Sequence, residues 1–187
     1  IEVSPTNLET AQPALGYCQA ALDSGKHLVL ANKGPVALAY ADLKARADAN
    51  DLKLRLEATV MAGTPTMSLG GDALVGCKIE AARGILNGTT NYLLTQMEAG
   101  MNYDDALAKA QELGYAETDP TGDVEGWDAA GKVLILANAL FGRTLTMNDL
   151  EVEGITKITA QDIADAQQKN ERYKLIATAT PDGGSVK

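Results

Sequence analysis

Residues 133–140 read VLILANAL, and a helix this apolar on every face cannot stand in water. The stretch continues a segment that opens at Trp127, so the pattern predicts one helix over 127–140, embedded in a core. The rest of the chain must then wrap around it. With 187 residues there is enough chain to do so, since a domain of this size buries about 70% of the surface that its unfolded form exposes. At 45% hydrophobic and 22% charged residues, the composition is that of a globular protein rather than a disordered or collagenous one. No run of about 18 apolar residues occurs, so no segment reads as a bilayer span. The 16 Lys and Arg residues are outnumbered by 25 Asp and Glu, for a net charge of −9. Nucleic acids and anionic membranes, which need clustered cations, are poor partners for such a chain.

The pattern along the chain is one of alternating strands and helices. IEV at the N-terminus reads as a strand, 8–24 as a helix stopped by Gly25, and HLVLAN (27–32) as a buried strand. A second helix is expected over 35–49, with Pro35 in its first turn. LKLRLEAT (52–59) alternates at period two and reads as a half-buried strand. Residues 63–76 are rich in breakers, a loop with a short helical piece. A strand over 77–86, helices from Thr89 to Ala99 and from Tyr103 to Leu113, and a polar loop over 115–125 follow. Beyond the apolar helix come a strand at 151–155, a helix at 160–169 and a strand at 173–180. This order predicts an α/β (α+β) protein, mainly one compact unit, with residues 1–34 set apart as part of a neighbouring domain. The opening on Ile1, already strand-like, reads as a piece cut from a longer protein.

Several motifs compete for attention and fail on their own chemistry. GWDAAGK (126–132) matches GxxxxGK, but Val133 stands where a P-loop needs a hydroxyl, and no strand precedes it. Asp119-x-Thr121-x-Asp123 resembles a calcium loop, yet Val124 occupies the position of the sharp-turn glycine. Asn87-Gly88-Thr89 fits a glycosylation acceptor and reads better as a turn feeding a helix N-cap. The single histidine, His27, excludes a zinc site built on several imidazoles. Cys18 and Cys77 lie far apart without a CxxC and read as buried small hydrophobes in a reducing cytoplasm. A complete GxGxxG is absent.

The chemistry concentrates between Tyr115 and Lys132. Asp128 and Lys132 are four residues apart on the predicted helix and so share a face. A surface ion pair of that kind contributes about 0–1 kcal/mol. On a core-embedded helix, beneath a loop carrying Glu117, Asp119, Asp123 and Glu125, an acid and an amine are better aimed at a cavity, where each needs a partner. Carboxylates suit the ammonium of an amino-acid substrate, and a lysine can donate a proton to an oxygen that becomes an alkoxide. The NGTTN turn (87–91) offers N–H groups at a helix N-terminus for a carboxylate.

LANKGPVALAY, EATVMAGTP, GILNGTTNYLL and ELGYAETDPTGDVEGWDAAGK resemble the signature segments of homoserine dehydrogenases, and the likeness runs over nearly the whole chain. It implies an NAD(P)-dependent oxidoreductase that interconverts L-aspartate 4-semialdehyde and L-homoserine, with a Rossmann nucleotide domain and a substrate domain whose mixed sheet, flanked by helices, forms a homodimer or larger oligomer. On this resemblance residues 1–34 end the nucleotide-binding domain and 35–187 form the substrate-binding domain. Lys132 matches the proton donor and acceptor, Asp123 a further active-site acid, and Lys33 a lysine that serves both catalysis and cofactor binding. Glu117, Asp128, Tyr115 and Thr89 match substrate-binding positions, and Gly114 and Ser4 cofactor-binding ones. Glu57, Val60, Ala62 and Thr64 align with a Na⁺ site of main-chain carbonyls and one acid; a strand-end carboxylate capping a turn is the plainer account of Glu57. The chain departs from the family in lacking the dinucleotide fingerprint. The competing reading is a non-catalytic amino-acid-binding or dimerisation module; the presence of both Lys33 and Lys132 argues for the enzyme, since a binding module needs no proton donor.

Overall fold

The structure is a computed structural model that describes residues 1–187. In chain order its elements are α1 (Ala14–Asp23), β1 (Leu28–Val29), α2 (Lys33–Ala49), β2 (Leu54–Arg55), α3 (Ala58–Met61), α4 (Thr66–Ser68), β3 (Ala82–Gly84), α5 (Gly88–Glu98), α6 (Tyr103–Glu112), α7 (Thr121–Val124), α8 (Trp127–Phe141), β4 (Leu150–Val152), α9 (Ala160–Gln168), β5 (Ala177–Thr180) and β6 (Gly183–Val186), with a π-helical turn at Leu69–Ala73 and a 3-10 turn at Met147–Asp149. The chain forms two compact units. The first comprises 1–82, 131–150 and 179–184; the second comprises 83–130, 151–178 and 185–187. No helix is long and apolar enough to cross a membrane.

In the first unit β1 and β2 pair in parallel, Leu28 opposite Leu54 and Val29 opposite Arg55. Glu2 forms a parallel bridge to Leu30 on the other side, so the chain repeats a strand–helix–strand crossover around α1 and again around α2. The α1 and α2 helices pack on each other, with Cys18, Leu22, Val36 and Leu43 fully buried. The part of α8 that belongs to this unit buries Val133, Leu134, Ile135 and Leu136, each side chain contributing about 1.5–3 kcal/mol by leaving water. Asn138, the one polar residue in that run, is satisfied: its amide donates to the Leu145 carbonyl at 3.0 Å and accepts from the Leu145 N–H at 2.8 Å.

The second unit packs α5 against α6, α7 and α9 around Leu93, Leu94, Ala106, Ala110 and Ile163. Asparagine or threonine caps set where its longer helices start: Asn102 Oδ1 accepts from Asp105 N at 2.8 Å, and Thr159 and Asp162 form a reciprocal capping box at α9. A four-stranded sheet in the order β3-β5-β6-β4 has most of its residues in this unit. Paired bonds between Ile176 and Lys187 extend the β5–β6 hairpin in antiparallel fashion, so the fold combines parallel and antiparallel strands flanked by helices.

Two glycines hold the acidic loop against this sheet. Gly126 takes φ +91°, and a Cβ there would meet Val152 and Val186 at 3.2 and 3.3 Å. Gly154 lies directly on the loop backbone, where an added Cβ would fall 2.2 Å from the Val124 carbonyl oxygen and 2.5 Å from Glu125 Cα. Because both obstacles are main chain, relief requires the loop to move. Gly154→Ala is expected to cost about 3 kcal/mol, a fall of roughly 10 °C in Tm measured by thermal unfolding; an unchanged Tm would show that the loop yields freely.

Strands are shorter than the sequence pattern predicts. The 52–59 run gives only Leu54–Arg55 before turning into α3, and 77–86 gives only Ala82–Gly84. The first helix starts at Ala14 rather than near residue 8, since residues 8–12 form turns in which the Asn7 side chain accepts from Glu9 N and Thr10 N. The cysteines also part company. Cys18 is buried, and burial first, then the neighbouring Glu2 charge, pushes its thiol up to about 11 from an ordinary 9.0. Cys77, expected inside, is exposed, because the turn closed by its own N–H on the Leu74 carbonyl lies at the surface.

Candidate active site

The predicted site residues fall into groups that each unit builds separately. In the second unit the centre is Asn87, the N-cap of α5, which is only 4% exposed. Its Oδ1 accepts from Thr90 N at 2.8 Å and from Thr90 Oγ1 at 2.9 Å. Its Nδ2 donates to Asp123 Oδ1 at 2.6 Å and to Asp128 Oδ2 at 2.9 Å. Two acids that stand five residues apart in sequence, on α7 and at the start of α8, are thereby brought to one amide. The buried Asn87 side chain is fully occupied, so the NGT sequence is no glycosylation acceptor.

Thr89, in the first turn of α5, donates its hydroxyl to the Tyr115 carbonyl at 2.7 Å. Tyr115 also packs at a tilt against Tyr92, ring centroids 5.1 Å apart and planes at 57°. The turn after α6 that includes Gly114 and Tyr115 is thus tied to the α5 N-terminus. The next residues are held through the chain rather than through side chains: Gln111 Nε2 donates to the carbonyls of Glu117 and Thr118 at 3.0 and 3.3 Å. The Glu117 side chain is exposed. Asp119 caps α7, where the Thr121 hydroxyl and N–H hold its carboxyl below the usual range. That capping role and the aim of Asp123 at Asn87 leave the calcium-like spacing unused.

In the first unit Lys33 opens α2 behind Asn32, whose Oδ1 accepts from Gly34 N at 2.9 Å and whose amide donates to the Pro5 carbonyl at 3.3 Å. Ser4 lies in the turn so pinned, its N–H bonded to Glu2 Oε1 at 2.8 Å. Ser4 and Lys33 therefore follow the carboxyl ends of adjacent parallel strands, the place where open α/β sheets receive ligands. The Lys33 stem reaches α8: its Cδ lies 3.9 Å from where a Cβ on Gly131 would be, one residue before Lys132. Lys132 is half-buried, while its neighbours Gly131 and Val133 on α8 are wholly buried. The GxxxxGK match is helical from Trp127 onward, so no phosphate loop exists there.

Glu57 behaves as a cap. Its carboxylate accepts from Met67 N at 2.8 Å, from Ser68 N at 2.9 Å and from the Ser68 hydroxyl. Burial pulls its carboxyl up, but the Ser68 and backbone donors outweigh this and lower it. The Thr64 carbonyl accepts from Thr66 N at 2.7 Å, while Val60 is buried and Ala62 exposed.

The sequence names Asp123, Asp128, Lys33, Lys132 and the turn at Asn87 as candidates, but not the bonds that join Asn87 to the two acids, nor Thr90 behind it. The usable signal was the amide itself: an asparagine that caps with its oxygen still has two N–H donors to place.

The homoserine dehydrogenase family profile matches residues 65–187. The chain is 48% identical over 179 residues to an NAD(+)-dependent homoserine dehydrogenase of Pseudomonas canavaninivorans, covering 96% of this chain and 51% of that protein. It is 45% identical over 177 residues to a homoserine dehydrogenase of Methanocaldococcus jannaschii, at 94% and 53% coverage. Among solved structures, a putative homoserine dehydrogenase from Archaeoglobus fulgidus superposes with a TM-score of 0.89 at 42% identity, covering 92% of this chain and 54% of that one. A hyperthermophilic archaeal homoserine dehydrogenase in complex with NADPH gives 0.83 at 30% identity, at 97% and 54% coverage. These likenesses first define a mixed α/β fold shared with dehydrogenases. The chain belongs to the homoserine dehydrogenase family, and it spans about half the length of the curated relatives it matches.

Proposed function

We propose that this chain is the substrate-binding and catalytic part of an NAD(P)-dependent homoserine dehydrogenase, which interconverts L-aspartate 4-semialdehyde and L-homoserine in the biosynthesis of threonine, methionine and isoleucine. In this reading residues 1–34 end the nucleotide-binding domain and 35–187 form the substrate-binding and dimerisation domain. The observation that carries it is the buried Asn87 amide, which brings Asp123 and Asp128 to one point in the segment that the family pattern continues to Lys132.

The roles follow from the chemistry. Lys132 takes the hydroxyl proton of homoserine as it is oxidised and returns a proton to the aldehyde oxygen in the reverse direction. Asp128 and Glu117 bind the substrate ammonium, and Asp123 completes the negative field. The first-turn N–H groups of α5, with Thr89 anchored to Tyr115, receive the substrate carboxylate. NAD or NADP fits this chain in part: Ser4 and Lys33 stand at adjacent strand ends, with Gly114 assigned to the cofactor by the family pattern, whereas for the pyrophosphate the chain offers no GxGxxG turn. When bound, the nicotinamide supplies or accepts the hydride. A Na⁺ at Glu57, Val60, Ala62 and Thr64 would have to share carboxylate oxygens that already accept three donors. We also propose a homodimer or larger homo-oligomer, with β3 and β4 as the open edges of the sheet, and a cytoplasmic location, in keeping with two free cysteines.

The test is direct. The full-length protein is incubated with L-homoserine and NAD⁺ or NADP⁺, and formation of the reduced nucleotide is followed. Turnover with at least one nucleotide is expected; none with either would overturn the assignment.

A further inference from the structure

We propose that Asn87 is a positioning residue of the active site, a buried amide that holds Asp123 and Asp128 at fixed places. The inference rests on the reading of the site above and adds to it a residue that contacts no reacting atom.

The geometry decides which way the amide faces. Nitrogen and oxygen of an asparagine side chain are told apart by their partners. At one end of Asn87 stand two donors, the Thr90 N–H and the Thr90 hydroxyl, at 2.8 and 2.9 Å. At the other end stand two carboxylates, at 2.6 and 2.9 Å. A flipped amide would set N–H against N–H and oxygen against two acids, so only one orientation is stable. The Thr90 N–H, which can only donate, enforces it, and Thr90 is itself fully buried. Both protons of Nδ2 are then spent, one on each acid. Without that bridge the two carboxylates lose the donor they share, and like charges so placed tend to swing apart. That response spoils a site that must present both carboxylates to a substrate ammonium. A helix cap alone needs only Oδ1, so the cap does not account for the other half of the amide.

The substitutions that separate the two roles are Asn87→Ser and Asn87→Asp, because serine and aspartate cap helices as well as asparagine does. In the full-length protein Asn87→Ser is expected to keep Tm within a few degrees of wild type, whereas Asn87→Asp sets a third carboxylate beside two others and lowers Tm further. Asn87→Ser should raise the KM for L-homoserine about 10- to 100-fold, the range of a lost hydrogen bond to a charged group, while the nucleotide KM stays within about twofold. Asn87→Asp adds a third carboxylate and should lower kcat/KM for L-homoserine further than Asn87→Ser does. Should the serine variant fold poorly, Asn87→Thr, which also caps a helix but has no amide N–H, carries the test. If the serine and aspartate variants keep the homoserine KM within about twofold of wild type while Lys132→Ala is inactive, the site stands and Asn87 is only a cap. If Lys132→Ala retains turnover, the reading of the site falls and this inference falls with it.

Discussion

Replacing Lys132 by alanine in the full-length protein is expected to lower turnover of L-homoserine by about a thousandfold while the nucleotide KM changes by no more than about twofold. The magnitude is that of a general acid–base group lost from a working site. The placement of Lys132 explains why so much should rest on one amine. It lies on α8 one turn beyond Asp128 and next to Gly131, which the Lys33 stem approaches. The residues around it in the helix, Ala130, Val133 and Leu134, are buried, so there is no neighbouring polar side chain on that turn to replace it. The loss should not be one of folding, since alanine is the better helix former and the side chain is only half-buried. Arginine would not restore the activity, because a guanidinium keeps its proton at working pH. Steady-state kinetics with circular dichroism as a control checks all of this; near-normal turnover in Lys132→Ala would remove the proposed mechanism.

Asp128→Ala and Glu117→Ala are expected to separate two kinds of carboxylate. Asp128 is half-buried and bonded to Asn87, so its removal takes away a fixed charge and leaves a buried N–H without that acceptor. A loss of about 100-fold in kcat/KM for L-homoserine follows from the usual range for such groups. Glu117 is exposed, and its loop is held by backbone carbonyls bonded to Gln111. Its removal should leave the loop in place and raise the homoserine KM about tenfold, with the nucleotide KM unchanged. A nucleotide KM that rises instead would mean that the loop serves the cofactor.

The helices of this fold are legible in the sequence because their ends carry their own chemistry. Asn87 and Asn102 sit at N-caps, and the apolar run 133–140 could only be core. Strands are less legible: period-two alternation reports which face of a segment is buried, not how far a partner runs beside it, and Leu54–Arg55 pairs only along the two residues that β1 offers. The candidate site divides in the same way. Lys132, Asp128 and Asp123 stand close together in one segment and could be read from spacing and charge. Asn87 lies far upstream, and its second role depends on a long-range contact that no local pattern encodes. The division of the chain into two units leaves no linker to find either, since it passes between Ala130 and Gly131 inside the continuous helix α8.

That interleaving has a consequence for synthesis. Each unit is assembled from three separate stretches of chain, and the second includes residues 185–187, where Lys187 exchanges hydrogen bonds with Ile176. No contiguous stretch of the gene therefore encodes either unit by itself. The helices of residues 83–130 leave the ribosome before α9, and in the interval the face of α5 that packs on α9 lacks its permanent cover.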